Sequence, residues 1–226
     1  ARGIGFGCAV ALAAKGFHLA LVDLREEAVN EAADKLRATG AQAEAFVADV
    51  SDFAKAQDVA KEIVGQDRSI NVLLNNAGIE SSNGLLEISE AEWDRTINVN
   101  LKSCFNWSRA VVPSMQDRGS GRIINIASIA GITGEGSNIA YCASKGAVIT
   151  LTKSLSKCMK PIRVNSVSPG LIKTGFVKFP KKHYREYAKR TLVNRVGSPE
   201  DVAHLVNLLL KNKYISGQNI VIDGGG

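Results

Sequence analysis

Six short runs rich in Val, Ile and Leu, at 18–22, 43–47, 72–74, 122–126, 163–167 and 219–222, alternate with longer stretches rich in Ala, Leu, Lys and Glu at 9–15, 26–38, 54–65, 90–115, 140–157 and 199–210. Short continuous apolar runs are what strands buried on both faces require, and the stretches between them are long enough for several helical turns. Their alternation predicts an α/β fold: one doubly wound parallel sheet of Rossmann type, with right-handed crossovers, helices on both faces and a ligand at the carboxyl ends of the strands. No internal repeat or Pro/Gly/Ser-rich linker divides the chain, so residues 1–226 read as a single domain. The start breaks the rhythm. Ala1-Arg2-Gly3-Ile4-Gly5 runs straight into a helix with no strand before it, which predicts that a native first strand, roughly a dozen residues, precedes this stretch.

Composition narrows the class. With 45% hydrophobic and 22% charged residues and only 5 prolines, the chain is neither disordered nor collagen-like, and no apolar run is long enough to span a membrane. Four widely spaced cysteines (Cys8, Cys104, Cys142, Cys158) form no CxxC pair, which argues against a disulfide framework or a zinc site and for a reducing, cytoplasmic setting. The net charge of +6 is unevenly spread: residues 1–100 carry 9 Lys+Arg against 16 Asp+Glu, whereas residues 101–226 carry 19 against 6. Without a basic tail or interleaved aromatics this does not predict a nucleic-acid partner.

Several residue sets carry candidate chemistry. Gly3, Gly5 and Gly7 ahead of an apolar helix would let a pyrophosphate approach backbone N–H groups at a helix N-terminus, where the macrodipole favours an anion. Asp23 ends the next strand about twenty residues on, where a carboxylate accepts from the ribose hydroxyls of NAD and repels the 2′-phosphate of NADP; helix capping is its other reading. Arg2 and Arg25 are close enough in sequence to accommodate a phosphate, so NAD is favoured with NADP still open. Asp49, followed by Val50, reads either as an adenine contact or as a cap, and Asn75-Asn76-Ala77-Gly78 suits a backbone lying against a flat ligand. Tyr141 and Lys145 stand at i and i+4 of a helix, which predicts that the ammonium lowers the phenol pKa and makes Tyr141 a general acid/base. Ser128 closes a central strand, where it either donates to a carbonyl or caps a turn. Asn100 is an amide inside an apolar helix, costly unless hydrogen-bonded.

In order and spacing, Gly3-Ile4-Gly5 with Asp23, Asn75-Asn76-Ala77-Gly78, Asn100, Ser128, Tyr141 to Lys145 and Pro169-Gly170 resemble the short-chain dehydrogenase/reductase family across essentially the whole chain. The resemblance implies reversible hydride transfer between a nicotinamide cofactor and a secondary alcohol or ketone, with no metal. It also implies Tyr141 as acid/base, Lys145 lowering its pKa and holding the nicotinamide ribose, Ser128 orienting the carbonyl, and Asn100 supporting a proton-relay water. Cofactor contacts are implied for Arg2, Gly3, Ile4, Gly5, Asp23, Asp49, Val50, Asn76, Ala77, Gly78, Pro169, Gly170, Ile172 and Thr174, as is a homotetramer built on helices around 100–115 and 140–157. The family's first strand and first glycine are absent from this stretch, and the segments 157–163 and 211–213 are short. Alternative readings are a 3-oxoacyl-thioester reductase, on carrier protein or CoA, and a non-catalytic NAD-binding protein. Substrate choice falls to 171–195 and 131–137, where Gly131 to Gly136 leave room near the site. Lys173, Lys178, Lys181, Lys182, His183, Arg185, Lys189 and Arg190 are either the solvated face of a lid helix or an attractor for an anionic substrate.

Overall fold

In the computed structural model, which describes every residue except 67, 81, 82, 177 and 178, all six apolar runs fold as strands: β1 (Leu19–Asp23), β2 (Ala43–Val47), β3 (Val72–Asn75), β4 (Arg122–Ile126), β5 (Arg163–Pro169) and β6 (Asn219–Ile222). They pair as two sheets, β1-β2 and β3-β4-β5-β6, where the alternation predicts one. Among the described residues, no ladder joins the first two strands to the other four. The pairing of β1 with β2 and of β3 with β4 is parallel, with Asp23 opposite Val47 and Asn75 opposite Asn125. The chain forms two compact units, 1–47 with 167–213 and 221–226, and 48–166 with 214–220. No described helix is long and apolar enough to cross a membrane.

In the first unit, α1 (Gly3–Ala13) begins six residues earlier than its apolar stretch predicts, because Gly3 opens it in the left-handed region at φ +57°. Next, α2 (Glu26–Arg37) buries Val29, Ala32, Ala33 and Leu36, one stripe at i, i+3, i+4 and i+7, against β1 and β2. Its acidic first turn (Glu26, Glu27) and basic last turn (Lys35, Arg37) match the helix dipole.

The second unit contributes α3 (Phe53–Gly65), capped by Asp52, whose carboxylate accepts from the Ala54 and Lys55 amides at 2.8 and 3.3 Å. The helix expected over 90–115 is instead three segments: α4 (Glu90–Ile97), a π-helical segment Asn98–Lys102, and α5 (Ser103–Asp117). One residue is inserted into the ladder there, and the bulge carries Asn100. The remaining helices of this unit are α6 (Ala130–Thr133) and α7 (Ile139–Cys158). Ala60, Val111, Val112, Met115, Ile123, Ile162 and Val164 make its main core, each large aliphatic contributing about 1.5–3 kcal/mol on burial.

Back in the first unit, α8 (Lys181–Arg190) is a helix with no buried residue, as the solvated reading of the basic stretch requires; Lys178 lies outside the described residues. The last helix, α9 (Pro199–Lys211), packs on α1. Its N-terminus is a capping box: Ser198 accepts from the Asp201 amide at 3.4 Å, and Asp201 accepts from the Ser198 amide at 2.8 Å. Arg195 adds a bidentate pair to the same carboxylate at 2.6 and 2.7 Å, and chiefly holds the Asp201 pKa far below the usual carboxylate range. A carboxylate depressed in the folded state stabilises it above its ordinary pKa, and that stability is lost as pH falls below it. Asp201→Ala is therefore expected to cost about 1–2 kcal/mol at neutral pH, with the difference from the parent shrinking below pH 4. Thermal melts at pH 7 and pH 3 check both parts, and equal losses at the two pH values would contradict them.

Candidate active site

The carboxyl end of β3 and the N-terminal half of α7 converge on the π-helical bulge. Asn75, opposite Asn125 at the end of β3, donates to it at 2.8 Å, and Asn125 donates to Thr152 of α7 at 2.9 Å. Two buried amides thus fasten the long helix to β3 and β4. Asn75 is spent on this anchor and Asn76 follows it as the chain leaves the sheet, with Ala77 exposed. Gly78 comes next, and a Cβ there would lie 3.4 Å from the Asn100 Oδ1 and 3.6 Å from the Lys145 Nζ.

Asn100 is fully buried, and its amide is committed on both sides. Oδ1 accepts from the Ile79 N–H at 2.8 Å, while Nδ2 donates to the Ile79 carbonyl at 2.9 Å and to the Ser144 hydroxyl at 3.1 Å. The side chain is a clamp between the β3 loop and α7. Its buried position in an apolar helix is satisfied, which answers the cost foreseen for it.

Asn138 caps α7 by accepting from the Tyr141 amide at 2.7 Å, placing the phenol in the first helical turn. Lys145, one turn on, is 4% exposed, and its Nζ lies 5.7 Å from the Tyr141 ring centroid while donating to the Ile126 carbonyl at 2.8 Å. Burial lowers the Lys145 pKa. The expected depression of the phenol does not follow. Burial pushes Tyr141 up to about 12; a hydrogen bond with Ser128 opposes this, and the charges of Glu80 and Cys142 add to it. The ammonium is directed at a strand carbonyl, and desolvation of the phenolate outweighs what remains of its attraction. Ser128 accepts from the Ala130 amide at 3.1 Å, so the turn-capping role and the Tyr141 contact belong to one side chain.

The cofactor candidates divide. In the first unit, Arg2 precedes α1 in extended conformation and gives no side-chain cap, which leaves the N–H groups at Gly3, Ile4 and Gly5 without one. A Cβ at Gly3 would lie 3.3 Å from the Thr174 side chain, so the glycine turn and the threonine after Pro169-Gly170 are brought close together. Gly7 serves packing instead, since a Cβ there would lie 2.7 Å from Pro199. Asp23 accepts from the Arg25 amide at 3.0 Å, with the Arg25 guanidinium 3.6 Å away. Gly170 donates to the Ile222 carbonyl at 3.0 Å. The Ile172 side chain is buried against Gly197. In the second unit, Asp49 accepts from both the amide and the hydroxyl of Ser51 at 2.8 and 2.7 Å, a local turn that includes Val50, while the helix that follows is capped by Asp52.

Ile126, Ser144 and Ser137 of this site were not legible. A backbone carbonyl has no residue signature, and serines are too common to single out. Asn138 did carry one, an Asx residue three before Tyr141.

A family model described as enoyl-(acyl carrier protein) reductase matches residues 1–226. The 3-oxoacyl-[acyl-carrier-protein] reductase FabG of Thermotoga maritima is 35% identical over 100% of this chain and 94% of its own length, and that of Chlamydia muridarum 38% identical over 99% and 93%. Among solved structures, a 3-oxoacyl-[acyl-carrier protein] reductase from Brucella melitensis superposes with a TM-score of 0.92 at 30% identity, covering 99% of this chain and 87% of that one. A second from the same organism, with bound NAD, reaches 0.90 at 31% identity with the same coverage. Matched over nearly its full length by these reductases, and carrying both a glycine-opened helix and a Ser–Tyr–Lys group, the chain belongs to the short-chain dehydrogenase/reductase family, oxidoreductases that act on a ketone/alcohol pair with a nicotinamide cofactor.

Proposed function

We propose that this enzyme reduces the 3-oxo group of an acyl thioester, carried on CoA or a carrier protein, with Tyr141 as the proton donor. The observation that carries the chemistry is the Tyr141 phenol on the Ser128 hydroxyl with its pKa pushed up to about 12. Two neighbouring hydroxyls that can both donate suit a carbonyl oxygen, which becomes an alkoxide as it is reduced; a carbon–carbon double bond has no such oxygen. The names of the relatives and structural neighbours supply the thioester. Ser128 donates to the carbonyl oxygen, and Tyr141 gives up its proton as charge develops there. Asn100 keeps the β3 loop and α7 in register, so that these donors do not move during the reaction.

A nicotinamide cofactor supplies the hydride when bound. The uncapped Gly3–Gly5 turn beside Thr174 would hold its pyrophosphate, Lys145 its nicotinamide ribose and Asp23 its adenosine ribose. Asp23 at the end of β1 favours NAD over NADP, in keeping with the NAD-bound neighbour. All four cysteines are free, in keeping with a reducing cytoplasm. Phe105 of α5 and Ile139 of α7 are 45% and 44% exposed, and we assign them to contacts between subunits of a homotetramer. A monomer by light scattering at micromolar concentration would refute that assembly.

The direct test is reduction of acetoacetyl-CoA with NADH and NADPH in parallel. Turnover with NADH preferred is expected. No turnover with either, despite NADH binding, would replace the thioester by another ketone, and a preference for NADPH would remove Asp23 from cofactor selection. A second outcome concerns pH. With the phenol near 12, only about one site in 10^5 is ionised at pH 7. Reduction needs the neutral phenol and is expected to be flat from pH 6 to 9, while alcohol oxidation needs the phenolate and rises by up to tenfold per pH unit. Initial rates in both directions decide this; an oxidation rate independent of pH would contradict it.

A further inference from the structure

Both backbone polar groups of Tyr141 are held by side chains. Its N–H donates to the Asn138 side chain at 2.7 Å, a bond made within the entry to α7. Its carbonyl accepts from the Ser144 hydroxyl at 2.7 Å. With that single proton spent, the Ser144 oxygen accepts from the Asn100 Nδ2 at 3.1 Å, and Asn100 in turn bonds the N–H and C=O of Ile79. Ser144 and Asn100 are both fully buried. The bulge end of this chain is held as well, because the Cys104 thiol donates to the Asn100 carbonyl at 3.4 Å. Tyr141, Ser144 and Lys145 stand at i, i+3 and i+4 on one face of α7, so whatever fixes Ser144 fixes the turn that carries the other two. Serine is a poorer helix former than alanine, and a buried hydroxyl is costly without partners. Helix propensity therefore does not account for a serine here, whereas the chain of bonds does.

We propose that Ser144 is a positioning residue: through Asn100 it ties the Tyr141 carbonyl to Ile79, and so sets where the proton donor stands at the start of α7. The inference rests on Tyr141 as the proton donor and is independent of the thioester. A first helical turn lacks part of its backbone ladder and frays readily, and Asn138 belongs to that same turn and moves with it. Ser144 supplies a bond that leads from the Tyr141 peptide to a different element. Proton delivery needs the donor within hydrogen-bond reach of the carbonyl oxygen, and displacement on the scale of 1 Å costs up to about 10^2-fold in rate. Removing the hydroxyl leaves the Asn100 Nδ2 its bond to the Ile79 carbonyl, and leaves the Tyr141 carbonyl the N–H four residues on that an α-helix provides. No polar group is stranded, so the chain stays folded while the turn is released.

Ser144→Ala is compared with Ser166→Ala, which removes an equally buried hydroxyl that is bonded to Asn219 at 2.8 Å. With acetoacetyl-CoA and NADH, Ser144→Ala is expected to lower kcat about tenfold while KM and NADH affinity stay within about twofold of the parent. The solvent deuterium isotope effect on kcat is expected to rise, because proton delivery becomes the slower step. Ser166→Ala is expected to lower the melting temperature by a few degrees without changing either kinetic readout. A further readout needs no turnover. In protein labelled with 13C-tyrosine, the Tyr141 ring signal, identified among four tyrosines by its loss in Tyr141→Phe, is expected to shift in Ser144→Ala and to stay in place in Ser166→Ala. Should Ser144→Ala not fold, Ser144→Cys, which keeps a weak donor, carries the same readouts. An unmoved Tyr141 signal, an unchanged kcat, or a loss shared by Ser166→Ala overturns the proposal. Turnover kept in Tyr141→Phe would sink the proton-donor reading and leave Ser144 nothing to position. If acetoacetyl-CoA is not reduced but the Tyr141 signal moves in Ser144→Ala alone, the thioester reading fails and the role of Ser144 stands.

Discussion

Tyr141→Phe is expected to lower carbonyl reduction by roughly 10^2–10^4-fold while leaving NADH affinity within about threefold of the parent. The ring keeps its place at the start of α7, because Asn138 positions its backbone and the Ala130 amide independently holds Ser128. What disappears is one O–H, the proton that burial keeps on the phenol up to about 12. Losing a single hydrogen bond to Ser128 costs about 1 kcal/mol of stability at most, too little to unfold the chain. Steady-state turnover and fluorescence titration with NADH separate the two readouts. Retained turnover above a tenth of the parent value would remove Tyr141 from the chemistry.

Gly131→Ala is expected to damage both fold and activity. A Cβ at Gly131 in α6 would sit 2.5 Å from the Gly146 nitrogen and 2.5 Å from the Lys145 carbonyl carbon, both backbone atoms of α7. No rotamer change relieves such a contact, so α6 and α7 must part, at about 1–3 kcal/mol. The residues on the displaced surface are Lys145 and, one turn earlier, Tyr141. Movement on the scale of 1 Å costs up to about 10^2-fold in rate. Gly65→Ala is the matched control. It lies in α3 at negative φ with nothing within 4 Å, and it is expected to be neutral or to stabilise by up to about 1 kcal/mol. Melting temperature and kcat for the two variants settle the comparison; equal melting temperatures would mean that α6 and α7 are not in close contact.

The strands were legible because runs such as Ile123-Ile124 and Val164 are buried on both faces, and continuous hydrophobicity is then the only pattern a strand can carry. The helices were legible where one stripe is apolar, as in α2. Reading 90–115 as one helix missed the π-helical bulge, since inserting a residue into the ladder changes neither propensity nor period enough to register. The glycines at 131–136 were read as room for a substrate. At Gly131 the room is filled by the backbone of another helix, and a residue without a side chain looks the same in sequence whether its neighbour is solvent, ligand or peptide.

The sequence by itself determined the α/β alternation, the placement of Ser128 at a strand end, and the i, i+4 relation of Tyr141 and Lys145, because each depends on spacing within one element or on one strand boundary. Only the tertiary structure decided what those groups do to one another. Lys145 donates to the Ile126 carbonyl, nineteen residues away, Asn100 bonds Ile79, and the charge of Glu80 acts on Tyr141 from a distant part of the sequence. The sign of the Tyr141 pKa shift turned on this. Spacing along a helix brings an ammonium near a phenol and predicts a decrease, but proton affinity depends on desolvation and on every nearby charge, and those come from chain segments that meet only when folded.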